Sequence, residues 1–126
     1  MIDFINGLIK KKTKDYIILN SNDIGYKLLI SYNCSKSLPL VGEKVSVLVY
    51  LHVRENILDL YGFIDQNERD SFNLLISVSG IGPKLALTIL SGLKSGDLKD
   101  YIIEGDVKSL TSILFLLINT RTPKLS

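Results

Sequence analysis

The chain has 126 residues, of which 46% are hydrophobic and 22% are charged, and its formal net charge at pH 7 is +2. This apolar share is ordinary for a globular protein and excludes an intrinsically disordered chain. A charge of this size does not by itself mark a nucleic-acid-binding protein, so any binding of anions has to come from local geometry and from assembly.

The cysteine content and the apolar runs bear on the compartment of the protein. The single Cys34 cannot form an internal disulfide, which favours a reducing environment. The first residues lack the pattern of a secretory signal, and the longest apolar run, residues 113–118, is too short to cross a bilayer. We therefore expect a soluble, cytoplasmic protein.

Residues 1–63 are predicted to form strands separated by turns. The candidate strands are rich in Ile, Val, Leu and Tyr and alternate partly between apolar and polar residues. A short polar link at Arg54–Asn56 predicts a hairpin between the last two strands. Five short antiparallel strands without a long helix predict a small β-barrel, of which the OB-fold is one common form. The candidate strands are Ile2–Lys10, Tyr16–Asn20, Tyr26–Ser31, Lys44–Val53 and Leu58–Phe63.

From Asp65 onward the apolar residues follow the period of a helix. Asp65 and Glu68 resemble a capping box. One helix is predicted to run up to Gly80 and a second to begin at Pro83. Further helices are predicted over 97–104 and from 106, so the fold class is a β-barrel followed by an all-α domain. The inward positions are Phe72, Leu75 and Ile76 in the first helix and Ala86, Ile89, Leu90 and Leu93 in the second.

A hairpin with two glycines joins these two helices. Gly80 and Gly82 tolerate positive φ and the close approach of another backbone, and Pro83 suits the first helical position. The first amides of the second helix then lie unpaired beside Lys84, at the positive end of the helix dipole. We interpret the hairpin as a site for nucleic-acid phosphates, and the alternative is an ordinary turn between helices. The candidate DNA-binding residues are Gly80, Ile81, Gly82, Pro83 and Lys84.

Other polar residues are weaker candidates. Glu55 is at the tip of the predicted hairpin, where most acids are solvated turn residues. The run Lys10–Lys12 with Lys14 could form a basic rim for DNA, although such runs more often keep the end of a strand soluble. His52 and Cys34 have no partner at the spacing of a metal site or of a nucleophile and its base. We therefore predict no catalytic site, no metal site and no cofactor.

Two stretches of the sequence resemble the RuvA family, which binds Holliday junctions in bacteria. The first stretch is Leu51–Asn56 with Leu60–Phe63, which is similar to the end of the barrel domain of this family. The second stretch is Glu68–Gly92, which is similar to the first helix-hairpin-helix motif of the family, and the match continues to Leu110. The resemblance covers residues 1–113 and rests on a barrel and a hairpin motif in the order and spacing of the family.

The resemblance implies an N-terminal OB-fold, a homotetramer laid on a four-way DNA junction, and two helix-hairpin-helix motifs per subunit. It also implies a subunit without catalytic activity, with the hexameric ATPase RuvB and the resolvase RuvC as partners. Gly80–Lys84 would be the first phosphate-binding hairpin. Glu55 and Asn56 would stand at the acidic pin, which lies at the junction centre. Asn56 departs from the pair of acids in the family and halves the charge of each pin.

The resemblance also implies the domain limits and a departure near the C-terminus. We expect an OB-fold barrel over 1–63 for oligomerisation and the junction centre, a helix-hairpin-helix domain over 64–113, and an aberrant tail over 114–126. A second glycine hairpin would follow Ile113 in the family, whereas this chain has no glycine after Gly105. We therefore predict that the second hairpin and the domain that recruits RuvB are missing.

Three hypotheses follow from the sequence. The first is a non-catalytic subunit that binds four-way junctions by their shape and supports RuvB-driven branch migration. The second is a truncated assembly remnant that oligomerises but binds DNA weakly and cannot recruit the motor. The third is an unrelated OB-type module that binds single-stranded RNA through its tyrosines.

Overall fold

The computed structural model describes residues 2–92, which form five strands and three helices. The predicted helices over 97–104 and from 106, the predicted loss of a second hairpin and the predicted tail over 114–126 lie outside the described residues. The chain divides into two compact units, with the boundary after Arg69. The elements are β1 (Phe4–Lys12), β2 (Tyr16–Ser21), β3 (Ile24–Leu29), α1 (Tyr32–Ser37), β4 (Lys44–Arg54), β5 (Ile57–Phe63), α2 (Gln66–Ile76) and α3 (Pro83–Gly92).

The five strands close into a barrel in the order β1-β2-β3-β5-β4, which confirms the predicted fold class. Closure pairs each of these strands on both sides and so removes exposed edges. The expectation of five antiparallel strands is wrong at one contact, because β3 and β5 pair in parallel through Leu28 with Leu60 and Leu29 with Tyr61. The parallel pair arises because β4 enters the sheet beyond the position of β5, and β5 then returns antiparallel to β4.

The core of the barrel consists mainly of aliphatic side chains that alternate along the strands. On β1, for example, Ile5 and Ile9 are 7% and 0% exposed, whereas their polar neighbours point outward. Burial of each such side chain contributes about 1.5–3 kcal/mol, so the alternation of the sequence is also the main source of stability of the barrel. The core residues of this unit are Ile5, Ile9, Ile17, Leu19, Leu28, Ile30, Cys34, Leu38, Val47 and Val49.

The helix α1 is absent from the sequence prediction, and the third strand ends at Leu29 rather than at the predicted Ser31. Ser31 is instead the N-cap of α1, since its Oγ accepts a hydrogen bond from Cys34 N at 3.0 Å. A helix of six residues is too short to show helical periodicity, and by itself it would not be stable in water. Burial of Cys34 and of Leu38, which follows the helix, therefore holds α1 in place.

The first turn of α2 is connected to α1 and to the end of β5 by the buried side chain of Glu68, which is 5% exposed. Ser31 Oγ donates to Glu68 Oε2 at 2.6 Å, and Ile64 N donates to Glu68 Oε1 at 2.8 Å. Asp65 Oδ1 accepts from Glu68 N at 2.8 Å. The predicted capping box is thus half correct: Asp65 caps the helix, but Glu68 binds Ile64 and Ser31 instead of the Asp65 amide. Burial raises the pKa of Glu68, and the hydrogen bonds from Ser31 and Ile64 oppose that shift.

The contacts of Glu68 and Arg69 explain why the first compact unit extends into α2. Arg69 Nη1 donates to both the backbone oxygen and Oδ1 of Asp3 at 3.0 Å. These two side chains tie the start of the helix to the barrel unit, so the division of the chain falls after Arg69. The limits of the domains at residues 63 and 113 remain predictions.

Candidate nucleic-acid interface

The segment between α2 and α3 forms a tight turn closed by backbone hydrogen bonds. The helix α2 ends at Ile76, earlier than the predicted stop at Gly80, because its last turn tightens as Val78 N donates to Leu75 O at 3.0 Å. Ile81 N then donates to Val78 O at 3.1 Å, and the Ile81 side chain is only 8% exposed. The buried isoleucine therefore anchors a turn in which the residues on either side face solvent.

The two glycines of this turn serve different purposes. Gly80 has a φ of +90°, a left-handed conformation that disfavours any side chain. Gly82 is not in the left-handed region, and a Cβ added there would meet nothing within 4 Å. Neither backbone conformation nor packing inside the described part of the chain therefore requires glycine at position 82. Its missing side chain leaves open space in front of the backbone, as a close approach by an outside group requires.

The helix α3 begins as the sequence predicts, with Pro83 in its first position. Gly82 O accepts from Ala86 N at 2.9 Å, which makes Gly82 the N-cap residue. The amides of Lys84 and Leu85 belong to the first turn and have no intrahelical acceptor. Lys84 is exposed and forms no ion pair within the described residues, so its charge adds to the positive end of the helix. The turn therefore combines amides without an intrahelical acceptor, open space and an exposed lysine, a set that suits a phosphate.

A pair of alanine variants separates the two glycine roles. We expect Gly80→Ala to lower the free energy of unfolding by about 1 kcal/mol, because alanine is strained at positive φ. We expect Gly82→Ala to cost up to about 1 kcal/mol, because alanine is a poorer N-cap residue than glycine, and to weaken DNA binding, because the methyl group occupies the open space. Urea unfolding and DNA titration of both variants measure these effects.

Gly42 provides the matched control for these variants, because it also has a positive φ, of +95°, with open space around it and lies in the other compact unit. Gly42→Ala should cost the same stability as Gly80→Ala without weakening DNA binding. Wild-type DNA affinity of the Gly82→Ala variant would contradict the role given to the open space.

The β4–β5 hairpin is present as predicted, and Glu55 and Asn56 form its two-residue tip. The last pair of the ladder is Arg54 with Ile57, and the tip residues are exposed. The exposed fraction rises along the hairpin from 3% at Val49 to 63% at Val53. The outer part of the hairpin is therefore an arm that leaves the core and carries a single negative charge at its end.

The basic run before β2 is only partly available for binding. Lys12 Nζ donates to the backbone oxygens of Leu38 and Pro39 at 3.1 and 3.2 Å, so this lysine holds the turn after α1. Lys11 and Lys10 are exposed, and Lys11 lies beside the ring of Tyr16. The run thus contains one lysine bound to backbone oxygens and two that are exposed, a difference that the sequence alone does not show.

His52 and Cys34, for which the sequence predicts no catalytic or metal-binding role, lie in ordinary packing environments. His52 stacks on Tyr50 with ring centroids 6.2 Å apart. Burial raises the pKa of the Cys34 thiol, and Glu68 adds to this shift, so the thiol stays protonated. Within residues 2–92, no three His, Cys, Asp or Glu side chains come together as a metal site, and no helix has the length and apolar content to cross a membrane.

Comparisons with known proteins match both units. Residues 1–62 match the family described as RuvA N terminal domain, and residues 72–113 match the SAM-like Helix-hairpin-helix tandem. A protein of Chloroherpeton thalassium named Holliday junction branch migration complex subunit RuvA is 44% identical over 111 residues, 88% of this chain and 56% of that protein. Proteins with the same name from Geotalea daltonii and Acetivibrio thermocellus are 42% and 40% identical over 90% and 88% of this chain and over 57% and 55% of their own lengths. The chain thus spans a little more than half the length of these relatives.

Proposed function

This chain belongs to the RuvA family, and we propose that it is a non-catalytic subunit that binds four-way DNA junctions by their shape and supports RuvB-driven branch migration. The observation that carries the proposal is the exposed Gly80–Lys84 turn, in a chain similar to proteins named as branch migration subunits. Amides and a lysine contact phosphates without reading base identity. Binding of this kind depends on where DNA backbones lie and not on their sequence.

Assembly converts a weak single contact into a selective one. One turn at the start of α3 reaches few phosphates, and the affinity for DNA rises steeply with the number of phosphates contacted. A homotetramer would present four such turns, one for each arm of a junction, and the second to fourth contacts would form at high effective concentration. Linear duplex cannot engage all four at once, so shape selectivity follows from the symmetry of the assembly. RuvB and RuvC would meet this subunit on the junction.

The arm between β4 and β5 would lie at the centre of the proposed complex. Four copies would bring four Glu55 carboxylates together where the DNA strands exchange, and like charges there repel the phosphates. Asn56 is neutral in this chain and contributes hydrogen-bonding groups but no charge. We therefore infer that strand separation at the junction centre depends on one acid per subunit.

The full chain tests this function by titration of a four-way junction and of a linear duplex with the same arm sequence at one stated salt concentration. We expect tighter binding of the junction, together with a tetramer in solution. Equal affinity for the two DNAs would overturn the proposal. A tetramer without measurable DNA binding would instead support the second hypothesis, in which the chain is an assembly remnant that oligomerises but binds DNA weakly.

Two substitutions at the tip of the arm test the charge of the pin. We expect Glu55→Gln to reduce the fluorescence of 2-aminopurine placed at the junction centre, because weaker repulsion lets the bases stay stacked. Asn56→Asp doubles the charge of each tip and should raise that fluorescence. The same probe placed in the middle of an arm is the control and should not respond to either variant. If the fluorescence at the junction centre responds to neither substitution, the charge of the pin has no role in strand separation.

A further inference from the structure

A second basic feature lies on the outer face of the barrel, in the first compact unit. Residues 4–29, which span β1, β2 and β3, contain five lysines and two aspartates. Lys12 is bound to the backbone after α1, as described above. The remaining lysines are exposed, and no role in the fold accounts for them. Five lysines and two aspartates give these residues a formal charge of +3, compared with +2 for the whole chain.

The register of the strands places two of these lysines around one aromatic ring. Lys11 on β1 pairs with Ile18 on β2, and Ile18 pairs with Lys27 on β3, so these three residues form a row across the sheet. Tyr16 lies two residues before Ile18 and therefore faces the same side. The Nζ atoms of Lys11 and Lys27 lie 5.5 and 4.5 Å from the centroid of the Tyr16 ring.

The positions of these side chains are determined by the local structure. The turn before Tyr16 is closed by Thr13, whose Oγ1 accepts from Tyr16 N at 3.0 Å. The ring attracts ammonium groups through its negative face, so both positive charges lie within 5.5 Å of one ring centroid. The hydrogen bond from Lys11 lowers the pKa of the Tyr16 hydroxyl, and the charges of Lys11 and Lys27 act in the same direction. The lowered pKa is the expected response to a positive potential at this point.

Within residues 2–92 the ammonium groups of this cluster, those of Lys11 and Lys27, have no ion-pair partner. Two ammonium groups that share one ring and no carboxylate attract an anion that can contact both. A nucleic-acid backbone has this property, because its charges repeat every few ångströms along the strand.

We propose that Lys11 and Lys27, held beside Tyr16 on the outer face of the barrel, form a second contact site for the sugar-phosphate backbone of duplex DNA. This inference rests on the proposed function, because it assumes that the chain binds DNA at all. It adds a contact made by the barrel unit that is independent of the Gly80–Lys84 turn. Tyr16 is a positioning residue, since its ring holds the two ammonium groups in place.

The test is the salt dependence of DNA binding by the full chain. We expect the double variant Lys11→Gln/Lys27→Gln to lower the slope of log affinity against log salt by about 2, since each lost phosphate contact removes about 0.9. At 0.1 M salt the affinity should fall by about fifty- to a hundredfold. The double variant Lys11→Arg/Lys27→Arg keeps both charges and should restore most of the slope.

Lys36 provides the matched control. Its Nζ lies 4.7 Å from the centroid of the Tyr32 ring, and it is exposed, but it stands alone on α1. Lys36→Gln should leave affinity and slope unchanged. An equal loss of affinity and of salt slope for Lys36→Gln would mean that DNA binding depends only on the total charge of the protein, and it would overturn the proposed site.

Binding by the wild type and by Lys84→Glu in the same titrations separates the two proposals. If the wild type does not bind DNA, the proposed function itself fails. If the wild type binds, Lys84→Glu weakens binding and the Lys11/Lys27 glutamine variant matches the wild type, the second site alone is overturned. The acidic surface of a protein partner would then be the remaining anion for this cluster.

Discussion

Reversal of one charge per subunit at the start of α3, by Lys84→Glu, is expected to weaken binding both to linear duplex and to four-way junction, and more strongly to the junction because it engages all four turns of a tetramer. The reason is that Lys84 is exposed in the first turn of the helix, where it adds to unpaired amides and contacts phosphate rather than base. Loss of one phosphate contact costs about tenfold at 0.1 M salt, and the new negative charge adds repulsion. We therefore expect a loss of about ten- to a hundredfold for each turn that engages the DNA, measured by fluorescence anisotropy.

The salt slope distinguishes a phosphate contact from a general effect of charge. Lys84→Glu should lower the slope by at least about 1, whereas Lys84→Gln should lower it by about 1. Lys36→Glu changes the net charge by the same amount on α1 and is the control. If Lys84→Glu weakens junction binding but leaves duplex binding intact, the lysine acts in assembly or at the junction centre and not on the backbones of the arms.

Removal of the buried carboxylate of Glu68 is expected to destabilise the barrel unit strongly. Glu68→Ala leaves the buried Ser31 Oγ and the partly buried Ile64 N without their acceptor. Each buried group without a partner costs about 1–3 kcal/mol, so we expect a loss of about 2–4 kcal/mol in the free energy of unfolding. Urea unfolding measures the loss, and a double-mutant cycle with Ser31→Ala should show strong non-additivity because both changes break one network.

The pH dependence of stability gives a second test of Glu68. Burial raises the pKa of Glu68 in the folded state above its ordinary value of 4.5, so between the two values the folded state binds more protons than the unfolded state. Stability contributed by this group is therefore present below pH 4.5 and is lost as pH rises through the folded pKa. Glu68→Gln retains the shape and an acceptor for Ile64 N but cannot titrate.

The difference in unfolding free energy between wild type and Glu68→Gln isolates this group from the other carboxylates. We expect the wild type to lose stability relative to the glutamine variant as pH is raised above about 4.5. A difference that stays constant between pH 4 and pH 8 would show that the carboxyl titrates at its ordinary value in spite of its burial.

Much of the fold could be predicted from sequence because the relevant signals are local. Alternation of apolar residues predicts the strands, and it identifies the inward side chains of β1. Proline at position 83 predicts the start of α3 because its fixed φ suits the first helical position. The hairpin tip at Glu55–Asn56 is also predictable from a local signal, because a short polar link between two apolar runs favours a hairpin.

Features that depend on distant residues were not predictable. The helix α1 is too short to show a period, and it is held by burial over the barrel core. The carboxylate of Glu68 reaches Ser31, 37 residues earlier in the chain, in addition to the local amide of Ile64. The parallel pair of β3 and β5 depends on where β4 enters the sheet, which no local pattern encodes.

The sequence by itself determined that a barrel precedes a glycine turn and a helix beginning at Pro83, and it identified the candidate residues of that turn. Only the tertiary structure decided that Gly82 borders open space while Gly80 is required by its φ, and that Lys12 is held by backbone oxygens while Lys11 is exposed. The physical reason is the distance along the chain over which each effect acts. Conformational preferences act between neighbours in the chain, whereas the space and the charge around a side chain are set by strand register and closure, which join residues far apart in sequence.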